Sequence, residues 1–186
     1  MQWNGSIWTN RTIACNGMNS KSRDGMPGIT QLGDGSWMLA YEANNMTNYP
    51  FVLRYKISAD GLNWTTDTSA ASIGTAFYVP KKTGRKASGA ILVTLPDGRV
   101  ACGFQTDEDA AFADDLVCSM RVMVTKDSNP QNWGVSGWGK VYDPFKTPAD
   151  KYSLWNGLSL HKNYLIAATS TNYPDNSILT QRAYIY

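Results

Sequence analysis

The sequence contains a single histidine, and charged residues fill only 17% of its 186 positions, well below the usual quarter. With apolar residues at 42%, that composition excludes a charged coiled coil and an unfolded chain. Seventeen basic residues face fifteen acidic ones, a net charge of +2. No basic excess is left for a phosphate backbone, so nucleic acid is not an expected partner. No apolar run approaches the roughly 20 residues that cross a bilayer, so no membrane partner is expected either. The opening Met1-Gln2-Trp3-Asn4-Gly5 lacks the charged and apolar regions of a signal peptide. Cysteine is scarce: Cys15, Cys102 and Cys118 show no CxxC and no metal-ligand spacing. Neither a metal nor a cofactor is therefore expected. Cys102 and Cys118 could bridge neighbouring strands or stay as buried thiols, and their spacing does not choose.

What is abundant is aromatic. Seven Trp and ten Tyr accompany many Asn, Thr, Ser and Gly. This is the composition of a β-rich extracellular protein, and sugar-binding surfaces share it because aromatic faces stack on sugar rings. Most such rings are nevertheless strand and core residues. The length suits one domain or a portion of a larger one.

The chain also repeats itself. The stretch 28–41 reads as strand, Asp34-Gly35 turn, strand; the stretch 91–104, 63 positions later, repeats it around Asp97-Gly98, and 157–168 is a looser copy around Lys162-Asn163. Asp-Gly and Lys-Asn are hairpin turns, where a positive φ is cheap for Gly and Asn. A second element follows each of the first two. Tyr55–Ser58 is a strand that leads into Ser58-Ala59-Asp60-Gly61-Leu62-Asn63-Trp64, and Val122–Thr125 leads into a longer counterpart ending at Trp133. In such a turn the Asp side chain can cap backbone amides while the Trp packs beneath.

The Ser-x-Asp-Gly-x-x-Trp turn resembles the Asp-box (BNR repeat) of sialidase-like β-propellers. It is a structural element, and carries no evidence of catalysis. Strand, turn, strand, linker, strand, Asp-box and strand make one four-stranded blade. The expected fold class is therefore all-β: a β-propeller with about three four-stranded blades, half of a six-bladed ring. The whole chain, 1–186, forms one propeller portion. Blade one spans about 22–80, blade two about 86–143 and a partial blade three about 152–186, with 6–14 an orphan outer strand. Fourth strands are expected near Ala76–Val79 and Gly139–Tyr142. A closed propeller usually needs at least four blades, so a homodimer completing a six-bladed ring is one expected partner.

In a propeller, the face where first strands begin and second strands end holds the chemistry. Three segments point there: Ser22-Arg23-Asp24-Gly25-Met26-Pro27, the strand end Tyr41-Glu42, and Gln105-Thr106-Asp107-Glu108-Asp109 one blade later. Together with Ser88-Gly89-Ala90, they resemble the exo-arabinanases of glycoside hydrolase family 93. That family comprises six-bladed propellers releasing arabinobiose from α-1,5-arabinan with retention. The resemblance covers roughly Ser22 to Ser170, and its motifs occupy about twenty residues. It implies that Glu42 and Glu108 match the catalytic glutamates, and that the ring's other blades lie outside this chain. Ile91 departs from the family's usual Pro after Ser-Gly-Ala.

The chemistry has its own logic. Retaining glycosidases need two carboxyl groups about 5–5.5 Å apart, one nucleophilic and one acidic. Glu42 and Glu108 are 66 positions apart, nearly one blade period, so neighbouring blades would bring them to one pocket. Like charge from Asp107 and Asp109 favours Glu108 as acid/base, leaving Glu42, beside Tyr41, as nucleophile. Arg23, Asp24, Tyr41, Asp107, Trp155 and Asn156 are the expected substrate contacts, on a polysaccharide or oligosaccharide. Duller roles are a solvent-facing strand end for Glu42, an acidic surface loop for 107–109, an ion pair for Arg23-Asp24 and core filling for Trp155. The leading function is a secreted glycoside hydrolase, an exo-acting arabinanase. The alternatives are a sialidase, which needs an arginine triad and a Tyr nucleophile backed by Glu, and a non-catalytic glycan-binding propeller.

Overall fold

The computed structural model describes residues 2–3, 5–9, 14–15, 24–44, 46–64, 74–111 and 118–185. Residues 10–13 and 16–23, Arg23 among them, lie outside them. The described residues form twelve strands: β1 (Gln2–Trp3), β2 (Trp8–Thr9), β3 (Asp24–Gln31), β4 (Trp37–Ala43), β5 (Val52–Ser58), β6 (Thr75–Tyr78), β7 (Ala87–Thr94), β8 (Val100–Thr106), β9 (Ser119–Val124), β10 (Ser153–His161), β11 (Tyr164–Thr171) and β12 (Ser177–Tyr184). Among these residues the only helices are single 3₁₀ turns at Pro130–Asn132 and Val135–Gly137, and no helix is long and apolar enough to cross a membrane. The protein is all-β.

The strands form consecutive antiparallel meanders. The first sheet has the order β3-β4-β5-β6, the second β7-β8-β9 and the third β10-β11-β12, beside a small β1-β2 pair. The described part of the expected outer strand 6–14 thus pairs with Gln2–Trp3 rather than with a large sheet. The second sheet has no regular fourth strand. Residues 138–142 run antiparallel along β9 through bridges at Thr125↔Trp138 and Val122↔Tyr142. Between these bridges the outer segment carries one residue more than β9, so the ladder breaks into isolated bridges.

The sequence repeat is a structural repeat. Leu32 N–H donates to Ser36 O at 2.8 Å, and Leu95 N–H to Arg99 O at 2.8 Å, with Gly35 and Gly98 both at positive φ. Asp34 and Asp97 each accept from the backbone two residues on, at 2.9 and 3.1 Å. The turn after β5 closes similarly: Asp60 accepts from the amides of Leu62 and Asn63 at 2.9 and 2.7 Å. Ser58 Oγ accepts from Gly61 N–H at 3.0 Å and donates to Asn63 O at 2.8 Å. Trp64 then lies under the turn, its indole donating to Gly61 O at 3.0 Å. In the second copy Asp127 accepts from Asn129 N–H and Asn132 Nδ2, and the Trp133 indole donates to Asp127 O, each at 2.9 Å.

Core side chains explain how the sheets stack. β4 and β5 are buried along almost their whole length, so each face must meet another layer. Met38, Ala40, Leu53 and Phe77 face Val100, Cys102, Phe104 and Trp138 across the seam between the first and second sheets. Ala101, Met120 and Val122 face Leu158, Leu165 and Ala167 across the next seam. On the far side of the first sheet, Leu39, Tyr41, Ala43 and Trp64 pack with Ala14 and Cys15. The first strands of the sheets are neighbours. A side chain at Gly28 on β3 would place its Cβ 2.3 Å from Ala90 O on β7, so only glycine permits this approach.

Candidate active site

Hairpin turns lie at one end of the sheets; the functional candidates lie at the other. There each first strand carries the same irregularity. Two residues oppose one on the partner strand at Met26-Pro27, Gly89-Ala90 and Trp155-Asn156. The first residue of each bulge is left-handed: φ is +44° at Met26, +65° at Gly89 and +54° at Trp155. This is the bulge type that normally has glycine first, and two of the three sites lack it. The bulges surround a cavity of about 200 Å³, completed by Ile91 and Gln105. Trp155 is 79% exposed, so it does not fill the core. Asn156 Oδ1 accepts from Thr169 Oγ1 at 2.9 Å. Among the described residues, the buried Asn156 Nδ2 has no acceptor.

Glu42 ends β4 in a row that runs Gly25, Glu42, Leu53, Tyr78 across the first sheet. Directly opposed residues share a face, so Glu42 looks toward the second sheet with Leu53. It is 1% exposed, hence not a solvent-facing strand end. Glu108 follows β8 on the second sheet and is 5% exposed. Its Oε2 accepts from Tyr78 Oη at 2.5 Å, and Lys81 Nζ lies 3.6 Å from Oε1. Tyr78 packs on Phe104, ring centroids 4.5 Å apart, so both glutamates belong to the seam between the first two sheets. Burial and then the Glu108 bond hold the Tyr78 hydroxyl well above its usual range.

The acids beside Glu108 have partners of their own. Asp107 accepts from Lys86 N–H at 2.7 Å and sits 3.8 Å from Arg85. Asp109 accepts from Arg121 Nη2 at 2.9 Å, which holds its carboxyl below the usual range. Arg121 also pairs with Asp143 at 2.9 Å. The three consecutive acids are therefore a turn tied to basic neighbours, and Asp107 and Asp109 do not present bare like charge to Glu108.

The remaining sequence candidates divide by strand parity. Tyr41 and Asp24 fall on the opposite face of the first sheet from Glu42, with Arg54, Lys56 and Cys15. Burial raises the Asp24 carboxyl despite Lys56 and Arg54, raises the Tyr41 hydroxyl, and pushes the Cys15 thiol up to about 11. The structure thus sets Glu42 on the face of the first sheet that meets the second, ties Glu108 to Tyr78 across that seam and Asp107 to Lys86 and Arg85, places Trp155 and Asn156 at the cavity, and leaves Asp24 and Tyr41 on another face. Arg23 is outside the described residues. Sequence reasoning missed Tyr78 as the partner of Glu108; its only signal was a place in an expected fourth strand. It also missed Met26 and Gly89, whose shared backbone shape appears only when the strands are paired. Cys15, Cys102 and Cys118 are free thiols. Among the described residues, no group of three acidic, His or Cys side chains is arranged to hold a metal.

No family model matches the chain, and no curated protein matches it. Solved structures do. An α-L-arabinofuranosidase from Lactobacillus brevis is 13% identical, with a TM-score of 0.60 over 86% of this chain and 49% of its own. A thermostable family-43 glycoside hydrolase is 13% identical, with a TM-score of 0.56 over 86% of this chain and 50% of its own. The GH93 α-L-arabinofuranosidase of Fusarium graminearum, solved with arabinobiose, is 14% identical, with a TM-score of 0.50 over 90% of this chain and 48% of its own. The chain shares its fold with propeller glycoside hydrolases. It spans about half the length of those enzymes.

Proposed function

We propose that this chain is part of a glycoside hydrolase acting on arabinose polymers, an exo-acting retaining arabinanase that releases arabinobiose from α-1,5-arabinan. The observation that carries the reading is the pair Glu42 and Glu108, both buried, Glu42 on the face of the first sheet that meets the second and Glu108 on the second sheet bonded to Tyr78 of the first. A buried carboxylate costs stability unless something is gained from it, and a pair of them is what glycosidic cleavage requires. One protonates the leaving oxygen while the other attacks the anomeric carbon. Water, deprotonated by the first, then attacks the anomeric carbon and breaks its bond to the second, which releases the sugar and restores both carboxyl groups. We assign Glu42 as nucleophile and Glu108 as acid/base, with Tyr78 holding the Glu108 carboxyl in place. The solved arabinofuranosidases that share the fold support the substrate class.

On this reading the three meanders are three blades of a six-bladed propeller. The turns at Ser58–Trp64 and Asp127–Trp133 are its Asp-boxes, supported by the amides that Asp60 and Asp127 cap. The ring is completed by further chain or by a second copy, and the enzyme acts outside the cell, where a polymeric glycan is accessible. The sialidase alternative has less support: Arg121 is held by Asp109 and Asp143, and Arg54 donates to Gly74 O from the opposite face of the first sheet.

The test is product analysis on linear α-1,5-arabinan with wild type, Glu42→Gln and Glu108→Gln. Arabinobiose is expected from wild type, and each variant should lose roughly 10²–10⁴-fold in rate. Loss of the basic limb of the pH–rate profile in Glu108→Gln alone supports the role assignment; the reverse pattern exchanges the roles. No product from a folded, correctly assembled protein removes the hydrolase reading and leaves a binding propeller.

A further inference from the structure

Three successive acids follow β8, and each is held by a different part of the chain. Asp107 is buried, accepts from Lys86 N–H at 2.7 Å and lies 3.8 Å from Arg85, both in the connection between β6 and β7. Glu108 meets Tyr78 of β6, and Asp109 meets Arg121 of β9. The backbone of the turn is tied as well. Ala110 N–H donates to Asp107 O at 3.0 Å, Glu108 N–H to Thr106 Oγ1 at 3.2 Å, and Arg85 Nη2 to Ala110 O at 3.3 Å. The pair at Asp109 is unlike the others, because it joins a carboxylate that is 66% exposed to a guanidinium that is 8% exposed. Arg121 does not depend on it. Its Nη1 donates to Met120 O at 3.1 Å and lies 2.9 Å from Asp143, so the buried charge keeps partners without Asp109. An exposed carboxylate held in this way adds little to stability.

We propose that Asp109 and Arg121 are positioning residues for Glu108: their ion pair anchors the 107–110 turn to β9, so that the Glu108 carboxyl stays against Tyr78. Asp107, its carboxyl turned to Lys86 and Arg85, is the second anchor and not a substrate contact. The turn is thereby held on both sides of Glu108, by the β6–β7 connection before it and by β9 after it. The consequence for turnover rests on the hydrolase reading above; the anchoring itself does not. A catalytic group misplaced by about 1 Å costs roughly a hundredfold in rate. A pair of small weight in folding therefore has large weight in catalysis. Asp143 serves as the internal contrast. It holds the same Arg121 and also accepts from the amides of Phe145 and Lys146 at 3.1 and 2.8 Å, yet it makes no link to the turn that carries Glu108.

Steady-state kinetics on linear α-1,5-arabinan, thermal melting and amide hydrogen exchange of the full chain test this together. Asp109→Ala should lower kcat about ten- to a hundredfold with KM within about twofold, while its melting temperature moves by no more than about 2 °C. Asp109→Asn keeps an acceptor of the same shape for Arg121, so its kcat should return to within about threefold of wild type. Asp143→Asn should lower the melting temperature more than Asp109→Ala does and leave kcat within about twofold. Exchange of the Glu108 and Ala110 amides should quicken roughly tenfold in Asp109→Ala, with the β8 amides unchanged. An unchanged kcat in Asp109→Ala, a rise in KM alone, which would make Asp109 a substrate contact, or an equal loss of kcat in Asp143→Asn each overturns the proposal. If the folded wild type yields no product, the hydrolase reading fails and exchange alone decides the anchor: turn amides as slow in Asp109→Ala as in wild type overturn it.

Discussion

The two ends of the sheets are built on opposite terms. At the turn end, left-handed positions fall on Gly35, Gly61 and Gly98, with Lys162 of the third hairpin at φ +52° as the exception, and the Asp side chains of the first two hairpins and of the turn after β5 cap nearby amides. At the bulge end, left-handed positions fall on Met26 and Trp155 as well as Gly89, two glutamates are buried, and one amide donor lacks an acceptor among the described residues. Lys162 apart, the first end obeys local rules of turn chemistry, and the second breaks them in several places at once. Exceptions of that kind gather where a protein binds or reacts, because strain and desolvation persist only when the surrounding fold holds them. The comparison therefore separates residues that stabilise this protein from residues the fold has to support.

Substitutions at the two ends should differ in sign as well as size. The largest stability effect is expected at Trp133, fully buried beneath its turn and packed near Tyr55 with ring centroids 6.5 Å apart. Trp133→Ala should cost about 3–5 kcal/mol in chemical denaturation; a cost below 1 kcal/mol would remove the turn end's claim to stability. Next comes Ser58→Ala, which strands Gly61 N–H and Asn63 O and should cost about 1–3 kcal/mol. A smaller change of opposite sign is expected at the bulge end. Met26→Gly removes left-handed strain at a partly exposed side chain, so stability should hold or rise by up to about 1 kcal/mol. A clear loss there would mean that Met26 supports the fold.

The smallest effect is one of pH. Amides of Asn63 and Leu62 hold the Asp60 carboxyl down to about 2, against about 3.9 unfolded. Its folded pKa is depressed, so its contribution is full above the unfolded value and fades as pH falls through the folded one. The stability gap between wild type and Asp60→Asn should therefore be widest near neutrality and close between about pH 5 and pH 2. A gap that does not depend on pH would show that Asp60 acts through shape alone.

Much of the fold was legible because its signals are local. Asp34-Gly35 and Asp97-Gly98 set hairpins through residues that pay little for a positive φ, and the strand ranges around them follow. The fourth strand of the second sheet was only partly legible. An extra residue between Trp138 and Tyr142 interrupts the ladder, and a bulge depends on pairing rather than composition. The site was legible as residues but not as groupings. Glu42 and Tyr41 are adjacent in sequence yet face different layers, since successive strand residues alternate. Glu108 was legible as an acid in an acidic run; that its neighbours are claimed by Arg85 and Arg121 depends on strands far away in the chain.

The amino-acid order alone determined the all-β class, the 63-residue recurrence and the turns, because each depends on backbone preferences within a few residues. Only the tertiary structure decided that Met26, Gly89 and Trp155 share one conformation around one cavity, and that Glu108 meets Tyr78 at 2.5 Å. Those facts arise from strand register and sheet stacking, which join residues dozens of positions apart, and no local preference encodes such distances.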